Sequence, residues 1–345
     1  MSTWNLYPST YRQAEIATIT RAARAGVCTL VAGPSGSGKS NLLGFLTHRV
    51  VLPELNFHLV DCNRLQGMEA QAFWQLLGEL FNGANSPQQI SRVLEESFSQ
   101  KIGGVCLCFD RFEGLPGTIR TLVDGGLRAL RDQHKYQLTY VVASRQPFEP
   151  SSELCELFAG SQVWLGPLSA DDARWSIRTF AARAGLNWGQ ATIDQIMAFS
   201  DGYPAFLRGV CEAVLSGTSL DLTTLRDHPA VKLRLDEFWT DTPSPEVLSR
   251  CGLSANPLLL DSPTALDNTA LTAKEALLLA ALRARPGQLI NKDELICAVW
   301  PEDQIYELGL RDDSLAQLVR RLRQKVGKER IAVVIGRGYR WIEDV

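Results

Sequence analysis

The sequence has no apolar stretch of the length that a membrane-spanning helix needs, and its first residues lack the pattern of a signal peptide. It also offers little for metal binding, because the eight cysteines show no metal-ligand spacing and the four histidines are far apart. These absences argue against a membrane protein, a zinc protein and an enzyme with a Cys/His nucleophile pair. We expect a cytoplasmic protein that makes no contact with a membrane.

Length and charge distribution predict several domains and a local polyanion contact. At 345 residues the chain exceeds one ordinary hydrophobic core, so two or three domains are expected. The net charge of −3 hides an asymmetry, because residues 269–345 contain 13 basic and 11 acidic residues. Residues 314–342 contain eight basic residues and one acidic residue, which favours a contact with a polyanion there.

A phosphate-binding motif near the N-terminus is the most informative feature. Residues 33–40 read G-P-S-G-S-G-K-S, which matches the pattern G-x-x-x-x-G-K-[ST]. The motif follows a strand-like apolar run at 27–32 and precedes apolar residues at helical spacing. The alternative is a glycine-rich turn with a chance lysine, and the strand–loop–helix order argues against it. The predicted nucleotide-binding residues are Gly33, Pro34, Ser35, Gly36, Ser37, Gly38, Lys39, Ser40 and Asn41.

The residue types in this motif suit a triphosphate and a magnesium ion. Glycines let backbone N–H groups surround the phosphates, and the N-terminus of the following helix adds a positive dipole end. Lys39 would reach the β- and γ-phosphates, and the Ser40 hydroxyl would bind Mg²⁺. The sequence therefore predicts binding of a nucleoside triphosphate with Mg²⁺.

A second apolar strand is followed by acidic residues. Residues 105–109 form a continuous apolar run, Asp110 ends it, and Glu113 follows three residues later. A carboxylate at the C-terminal edge of a parallel sheet lies beside a phosphate loop. There Asp110 would hold Mg²⁺, and Glu113 would orient or deprotonate the attacking water. The alternative for both residues is an acidic strand end or a helix cap.

A third strand-like run at 138–143 ends near Arg145, which would sense the γ-phosphate or would be an ordinary surface arginine. Runs at 57–61 and 163–165 bring the predicted strands to five. Amphipathic helical stretches lie between the runs. The predicted fold class is therefore α/β, with a mostly parallel five-stranded sheet and helices on both faces.

These features together resemble the STAND class of P-loop ATPases, which is related to AAA+ proteins. Arg12 and Glu15 resemble the R-x-x-E lead-in of the class, and F-D-R-F-E-G-L at 109–115 resembles its Walker B segment. The sequence A-S-R at 143–145 resembles its arginine sensor, and D-G-Y-P at 201–204 resembles its G-x-P motif. The resemblance implies ATP as the nucleotide, Arg12 and Pro204 at the nucleotide site, and slow ATP hydrolysis that serves as a switch. It also implies nucleotide-dependent self-association.

Composition and helical spacing divide the chain into four segments. Residues 1–168 form the predicted ATPase core, and the helical spacing of residues 169–240 predicts an all-helical lid. Residues 241–253 are rich in Thr, Pro and Ser and are predicted to be a linker. Residues 254–345 are predicted to form a C-terminal domain that begins with short strand-like pieces around 258–260.

The C-terminal segment predicts three helices and a hairpin. A capping box at 272–275 starts the first helix, and the second begins after Asn291 and ends near residues 300–301. The third has an apolar stripe along 315–326, with Gly327 suited to its C-cap. The hairpin turns at 336–338. This order of elements is that of a winged helix.

The third helix and the hairpin carry the predicted DNA-binding residues. The helix face opposite the apolar stripe has arginine and glutamine, which can bind base edges in a major groove. Side chains that flank the stripe are better placed for phosphates, and the hairpin presents a basic tip. The base-facing residues are Gln317, Arg320, Arg321 and Gln324, the flanking residues are Arg323 and Lys325, and the hairpin residues are Arg337, Tyr339 and Arg340.

Four ordered motifs in this segment resemble the OmpR-like effector domain of response regulators. They are L-T-A-K-E-A at 271–276, D-E-L-I-C-A-V-W at 293–300, R-R-L-R-Q-K-V at 320–326 and G-R-G-Y-R at 336–340. Ile335 stands where those domains usually have an arginine. The resemblance implies binding of double-stranded DNA. In the alternative, the winged helix packs only against the ATPase of its own chain.

Three functions follow from this combination. The first is an ATP-controlled DNA-binding protein, a transcription regulator in which nucleotide state controls the winged helix. The second is an ATPase that acts on DNA itself, as a replication-initiator, transposition or defence factor. The third is a signalling scaffold whose winged helix contacts only a protein partner. The sequence does not name the DNA site or the inducing signal.

Overall fold

A computed structural model describes most of the chain, namely residues 3–65, 69–100, 103–115, 117–240, 243–259, 273–299, 312–327, 330–334 and 337–342. The chain divides into two compact units, Met1–Leu260 and Asp261–Val345. Within the described ranges no helix is both long enough and apolar enough to span a bilayer.

The first unit is built on a five-stranded, entirely parallel sheet with the order β2-β3-β4-β1-β5. Parallel strands are covered on both faces, which explains why they appear in the sequence as continuous apolar runs. All five predicted strands are therefore confirmed, with ends that differ by a few residues. The strands are β1 (Thr29–Ala32), β2 (Leu55–Asp61), β3 (Gly104–Asp110), β4 (Leu138–Ser144) and β5 (Gln162–Trp164).

Helices cover both faces of this sheet. Alternate residues of β3 separate the two layers: Leu107 and Phe109 are in one core cluster, and Cys106 and Cys108 are in the other. The Cys106 layer is covered by α1 (Gln13–Arg24) and α2 (Lys39–Arg49). The Leu107 layer is covered by α3 (Ala70–Gly78), α4 (Pro87–Ser99), α5 (Gly117–Gln133) and α6 (Cys155–Ala159).

The lid, residues 169–240, is all-helical as predicted and has its own core. Ser169 caps its first helix, because the Ser169 hydroxyl accepts from the Asp172 N–H at 3.1 Å. Tyr203, Phe206 and Phe238 are fully buried at the centre of the lid. The lid helices are α7 (Ala170–Arg183), α8 (Gln190–Ser200), α9 (Pro204–Leu215), α10 (Leu222–Asp227) and α11 (Pro229–Thr240).

Residues 243–259 differ from the sequence prediction. Instead of a linker they form a short helix, α12 (Pro245–Arg250), followed by turns, and the strand-like run at 258–260 is a turn where it is described. Leu253 and Leu258 are fully buried in the lid core. This segment therefore packs into the first unit, because its few apolar side chains cover the lid even though its composition is polar.

The second unit has the predicted winged-helix order of elements. The helix α15 (Asp312–Val326) buries Leu315, Leu318 and Leu322, and a three-stranded antiparallel sheet has the order β6-β8-β7. Asn291 caps the second helix by accepting from the Glu294 N–H at 2.7 Å. The predicted positions Thr272, Trp300, Pro301, Ile335 and Gly336 lie outside the described residues. The other elements are α13 (Ala273–Arg283), β6 (Ile290–Asn291), α14 (Lys292–Val299), β7 (Ile331–Val334) and β8 (Gly338–Trp341).

Candidate functional site

The predicted phosphate loop connects β1 to α2, and glycine geometry shapes it. Gly36 and Gly38 have φ values of 83° and 89°, in the left-handed region that favours glycine. A Cβ atom at Gly36 would overlap the Cβ of Ala205. Helix α2 begins at Lys39, and the N–H groups of any first helical turn have no acceptor within the helix. A phosphate oxygen is a natural acceptor for these N–H groups.

The Lys39 ammonium lies within the loop. Its Nζ donates to the carbonyl oxygens of Gly33 at 2.6 Å and Pro34 at 3.0 Å. The loop therefore holds a positive charge where the motif predicts the β- and γ-phosphates. Contact of Lys39 with the phosphates stays a prediction.

Ser40 and Asp110 come together as the sequence predicts for a magnesium site. Asp110 ends β3 and is only 8% exposed. Burial raises the pKa of the Asp110 carboxyl, and a hydrogen bond from Ser40 and the charge of Arg111 partly offset that rise. The neighbouring carboxylates of Asp61 and Glu113 raise it further.

The donor set at this position fits Mg²⁺. One hydroxyl and one carboxylate are typical of a magnesium ion whose remaining ligands are water and phosphate oxygens. In the described residues no group of three or more His, Cys, Asp or Glu side chains is arranged to hold a metal ion. A magnesium ion here would therefore need water and phosphate oxygens as further ligands. A bound nucleotide would thus complete the coordination.

Glu113 and Arg145 are paired with each other. The Arg145 Nε lies 3.3 Å from Glu113 Oε1, and both side chains are partly exposed. The other carboxylate oxygen of Glu113 is buried and accepts no hydrogen bond from any described residue. Arg111, with a left-handed φ of 53°, starts the short 3-10 turn that carries Glu113. The sequence predicted separate roles for Glu113 and Arg145 and gave no sign of their contact.

Arg12 is buried beneath the phosphate loop. Its Nη2 donates to the carbonyl oxygens of Ser37 at 3.0 Å and Gly166 at 2.8 Å, and its Nη1 pairs with Glu15 at 2.9 Å. Its backbone N–H donates to Asp172 of the lid at 3.0 Å. These contacts make Arg12 a residue that positions the loop, and direct contact with a nucleotide stays a prediction.

The turn before α9 contacts the phosphate loop directly. The Tyr203 hydroxyl donates to the Ser35 carbonyl at 2.7 Å, and the Ala205 N–H donates to the Gly36 carbonyl at 3.1 Å. Pro204 lies beside Gly38. Pro204 is thus at the predicted site, whereas Tyr203 and Ala205 were missed because their partners are far away in sequence.

An aromatic cluster beside α2, the helix that follows the phosphate loop, was also missed in the sequence analysis. Tyr7 lies 4.8 Å from Tyr11 and 4.7 Å from Trp175, measured between ring centroids, and Tyr11 lies 5.4 Å from Phe45. The cluster joins the N-terminal segment, α2 and α7 of the lid. Its members come from three distant segments, so no periodic signal reveals it.

On α15, the predicted DNA-binding side chains that the structure describes are at least partly exposed. Arg320 is exposed on α15, and Arg321 and Arg323 are partly exposed. The side chains of Gln317, Gln324 and Lys325 lie outside the described part of the unit.

The hairpin residues differ from one another. Arg337 and Arg340 are exposed, whereas Tyr339 is only 6% exposed and lies in the core. Side chains alternate along a strand, so Arg340 points outward and Tyr339 does not. The structure gives Tyr339 a packing role, and its contact with DNA stays a prediction.

The phosphate loop, the parallel sheet and the winged helix define a P-loop NTPase joined to a DNA-binding domain of the transcription-regulator type. Residues 11–208 match the family described as Novel STAND NTPase 1, and the chain belongs to this family. Residues 267–341 match the family described as Transcriptional regulatory protein, C terminal. Both resemblances predicted from the sequence are confirmed. No curated protein gives a significant match.

Three solved structures are similar to this chain at low identity. A mutant RuvB of Thermotoga maritima is 15% identical, with 96% of this chain and 91% of that chain covered and a TM-score of 0.42. The Walker-type ATPase of Pyrococcus abyssi is 16% identical, with 99% and 97% covered and a TM-score of 0.49. The Orc1 protein of Aeropyrum pernix, in complex with DNA, is 14% identical, with 99% and 93% covered and a TM-score of 0.46.

Proposed function

We propose that this protein is an ATP-controlled DNA-binding protein, a cytoplasmic transcription regulator in which nucleotide state controls the winged helix. The observation that carries the proposal is the presence of a nucleotide-binding loop and a winged helix in one chain. A phosphate loop contacts a helical lid through Tyr203 and Ala205, and a winged helix exposes Arg320. The first suits a nucleotide switch, and the second suits a duplex.

The nucleotide site would work as follows. The first-turn N–H groups of α2 and the Lys39 ammonium bind the phosphates, and Ser40 and Asp110 hold Mg²⁺. When bound there, Mg²⁺ would neutralise developing charge on the phosphates. Glu113 orients the attacking water and accepts its proton. Because Arg145 pairs with Glu113, turnover is slow until Arg145 moves to the γ-phosphate.

The DNA site would divide labour between two kinds of contact. Arg320 of α15 reads a base edge in the major groove, and Arg323, Arg337 and Arg340 bind phosphates. The excess of basic residues within 314–342 supports this surface as the one that meets the duplex. ATP would also favour self-association, and hydrolysis would reset the protein.

Selection of binding sites from random duplexes, followed by footprinting with an ATP analogue, tests the proposal. A footprint of operator size at a preferred sequence supports a regulator. Coverage that grows with duplex length would instead indicate an ATPase that acts on DNA. Failure to bind any duplex, even at low salt, would indicate a scaffold whose winged helix contacts only proteins.

A further inference from the structure

The strap, residues 243–259, is the last part of the first unit, and the chain passes from it into the second unit at Asp261. Two of its side chains, Leu253 and Leu258, are fully buried in the lid core, and Val247 is 7% exposed. This burial fixes the strap to the lid. Two routes of contact also connect the strap to the phosphate loop: one combines hydrogen bonds with close backbone packing, and the other consists of hydrogen bonds.

The first route runs through Arg12. Arg12 Nη2 donates to Ser37 of the phosphate loop and to Gly166 just after β5. Gly166 in turn touches the strap, because a Cβ atom at Gly166 would overlap the Cys251 carbonyl oxygen. Burial raises the pKa of the Cys251 thiol to about 11, and the Lys39 charge lowers it, which agrees with their closeness.

The second route runs through the turn before α9. The Tyr203 hydroxyl donates to Ser35 of the loop, and the Tyr203 N–H donates to the Ser200 carbonyl at 3.0 Å. The same Ser200 carbonyl accepts from Asn256 Nδ2 of the strap at 3.0 Å. Asn256 is fully buried, and its side-chain oxygen accepts from the Leu258 N–H at 3.1 Å.

The two routes leave the phosphate loop from neighbouring carbonyl groups. Phosphates bind the N–H groups of such a loop, so its carbonyl groups remain paired with Arg12 and Tyr203. Lys39 must leave the Gly33 and Pro34 carbonyls to reach a phosphate. A phosphate that draws Lys39 away would therefore remove two contacts from the same loop to which both routes are attached.

We propose that the strap transmits the nucleotide state of the phosphate loop to the C-terminal unit, through Arg12 and Gly166 on one route and through Tyr203 and Asn256 on the other. This inference rests on the proposed function, because a strap can transmit only a state that a nucleotide imposes. A ligand shifts an equilibrium only through contacts that differ between two states, and the contacts of Lys39 with the Gly33 and Pro34 carbonyls would differ in this way.

Hydrogen exchange of the full-length protein tests the strap without any substitution. We expect a non-hydrolysable ATP analogue with Mg²⁺ to slow amide exchange in the phosphate loop and in the strap, by more than in α4. Helix α4 lies on neither route and reports the general stabilisation that any bound ligand gives. The inference would be overturned if exchange slowed in the phosphate loop but changed in the strap only as much as in α4. A phosphate loop that does not respond would overturn the proposed function as well.

The Asn256→Ala variant tests the second route. We expect its affinity for the ATP analogue, and for DNA without nucleotide, to equal that of the wild type. The ratio of DNA affinities with and without the analogue should fall towards one. Glu246→Gln is the matched control, because the Glu246 side chain lies on the strap but is 72% exposed. Its ratio should equal that of the wild type.

An unchanged ratio in Asn256→Ala would overturn the strap and leave the proposed function intact. A ratio of one in the wild type would overturn the proposed function and the strap together. Thermal denaturation shows whether Asn256→Ala folds. If it does not, the exchange experiment on the wild type decides.

Discussion

Acidic side chains lie close together at the carboxyl ends of β2 and β3, beside the phosphate loop. Asp61 and Asp110 occupy paired positions on neighbouring parallel strands, and Glu113 follows on the turn after β3. Burial raises the pKa of the Asp110 carboxyl, and the negative charges of Asp61 and Glu113 add to that rise. A divalent cation relieves this repulsion, so the site is best suited to nucleotide that brings Mg²⁺.

Glu113→Gln should keep ATP binding and slow its hydrolysis by roughly 10²-fold or more, because the amide cannot accept the proton of the attacking water. Phosphate release under saturating ATP measures turnover, and calorimetric titration measures binding. Glu96→Gln is the control, because Glu96 is an exposed glutamate on α4, a helix that carries none of the predicted site residues. Hydrolysis at the wild-type rate in Glu113→Gln would assign the base to another residue.

The raised pKa of Asp110 predicts how nucleotide binding depends on pH. A carboxyl whose pKa is raised takes up a proton at a higher pH than an ordinary aspartate, so Mg²⁺ loses this ligand early as the pH falls. Affinity for the Mg²⁺–nucleotide complex should therefore decline on mild acidification. Asp110→Asn should bind more weakly at neutral pH and lack that decline. A wild type and an Asp110→Asn variant with the same pH profile would refute the assignment.

The pH dependence of stability in the protein without nucleotide has the opposite sign to that of nucleotide affinity. Because the folded state raises the pKa of Asp110, it binds the proton more tightly than the unfolded chain does. The free energy of unfolding then increases as the pH falls from the raised pKa towards the ordinary value. Chemical denaturation across pH, compared with Asp110→Asn, separates this contribution from those of other carboxylates.

Secondary-structure elements differ in how far the sequence predicts them. The five strands are covered on both faces, so each is a continuous apolar run that the sequence displays. Helix α12 and the turns after it looked like a linker, because the apolar side chains that pack on the lid are irregularly spaced among polar residues and glycine. Periodicity shows only a face that repeats within one element, and this segment has none.

The residues of the nucleotide site were likewise predictable only where they are close together in sequence. The phosphate loop is continuous in sequence, so the motif identified all of it. Contacts between Arg12 and Asp172, and between Tyr203 and Ser35, join residues 160 and 168 positions apart. Such contacts depend on how the lid folds over the sheet, and no local pattern reports that.

A substitution at Gly44 tests the packing of the N-terminal segment against α2. A Cβ atom at Gly44 in α2 would overlap the Trp4 ring, so Gly44→Ala should destabilise the protein by about 1–3 kcal/mol. Gly125 in α5 is the matched control, because nothing lies within 4 Å of a Cβ built there. Gly125→Ala should be neutral, or stabilising by about 0.5–1 kcal/mol. Chemical denaturation that ranks the two variants in the reverse order would contradict the packing described.

The exposed face of α15 predicts two kinds of DNA variant. If Arg320 reads a base edge as proposed, Arg320→Ala should lower affinity for a preferred site by about 1–3 kcal/mol and affinity for random duplex by less. Arg323→Ala should weaken all duplexes alike and reduce the salt slope by about one unit. Titrations across a salt series measure both effects. Wild-type DNA binding by both folded variants would exclude α15 as the reading helix.

In the whole molecule, an acidic N-terminal part and a basic C-terminal segment lie in one chain. The first 268 residues are weakly acidic, whereas residues 314–342 are strongly basic, so we expect a duplex to bind the C-terminal unit. If nucleotide changes the affinity for DNA by some factor, DNA must change the affinity for nucleotide by the same factor. Nucleotide titrations with and without duplex provide this independent measure of the coupling.

The most direct test measures the DNA affinity of the full-length protein with a non-hydrolysable ATP analogue, with ADP and without nucleotide. The same series is run on Lys39→Ala and on Lys135→Ala, a change at an exposed lysine outside the site. DNA affinity should differ between the ATP-analogue and ADP states by about 5–150-fold in the wild type and in Lys135→Ala. Lys39→Ala should lose that difference and keep the affinity measured without nucleotide. Equal DNA affinity in every nucleotide state, or an undiminished difference in Lys39→Ala, would contradict the account.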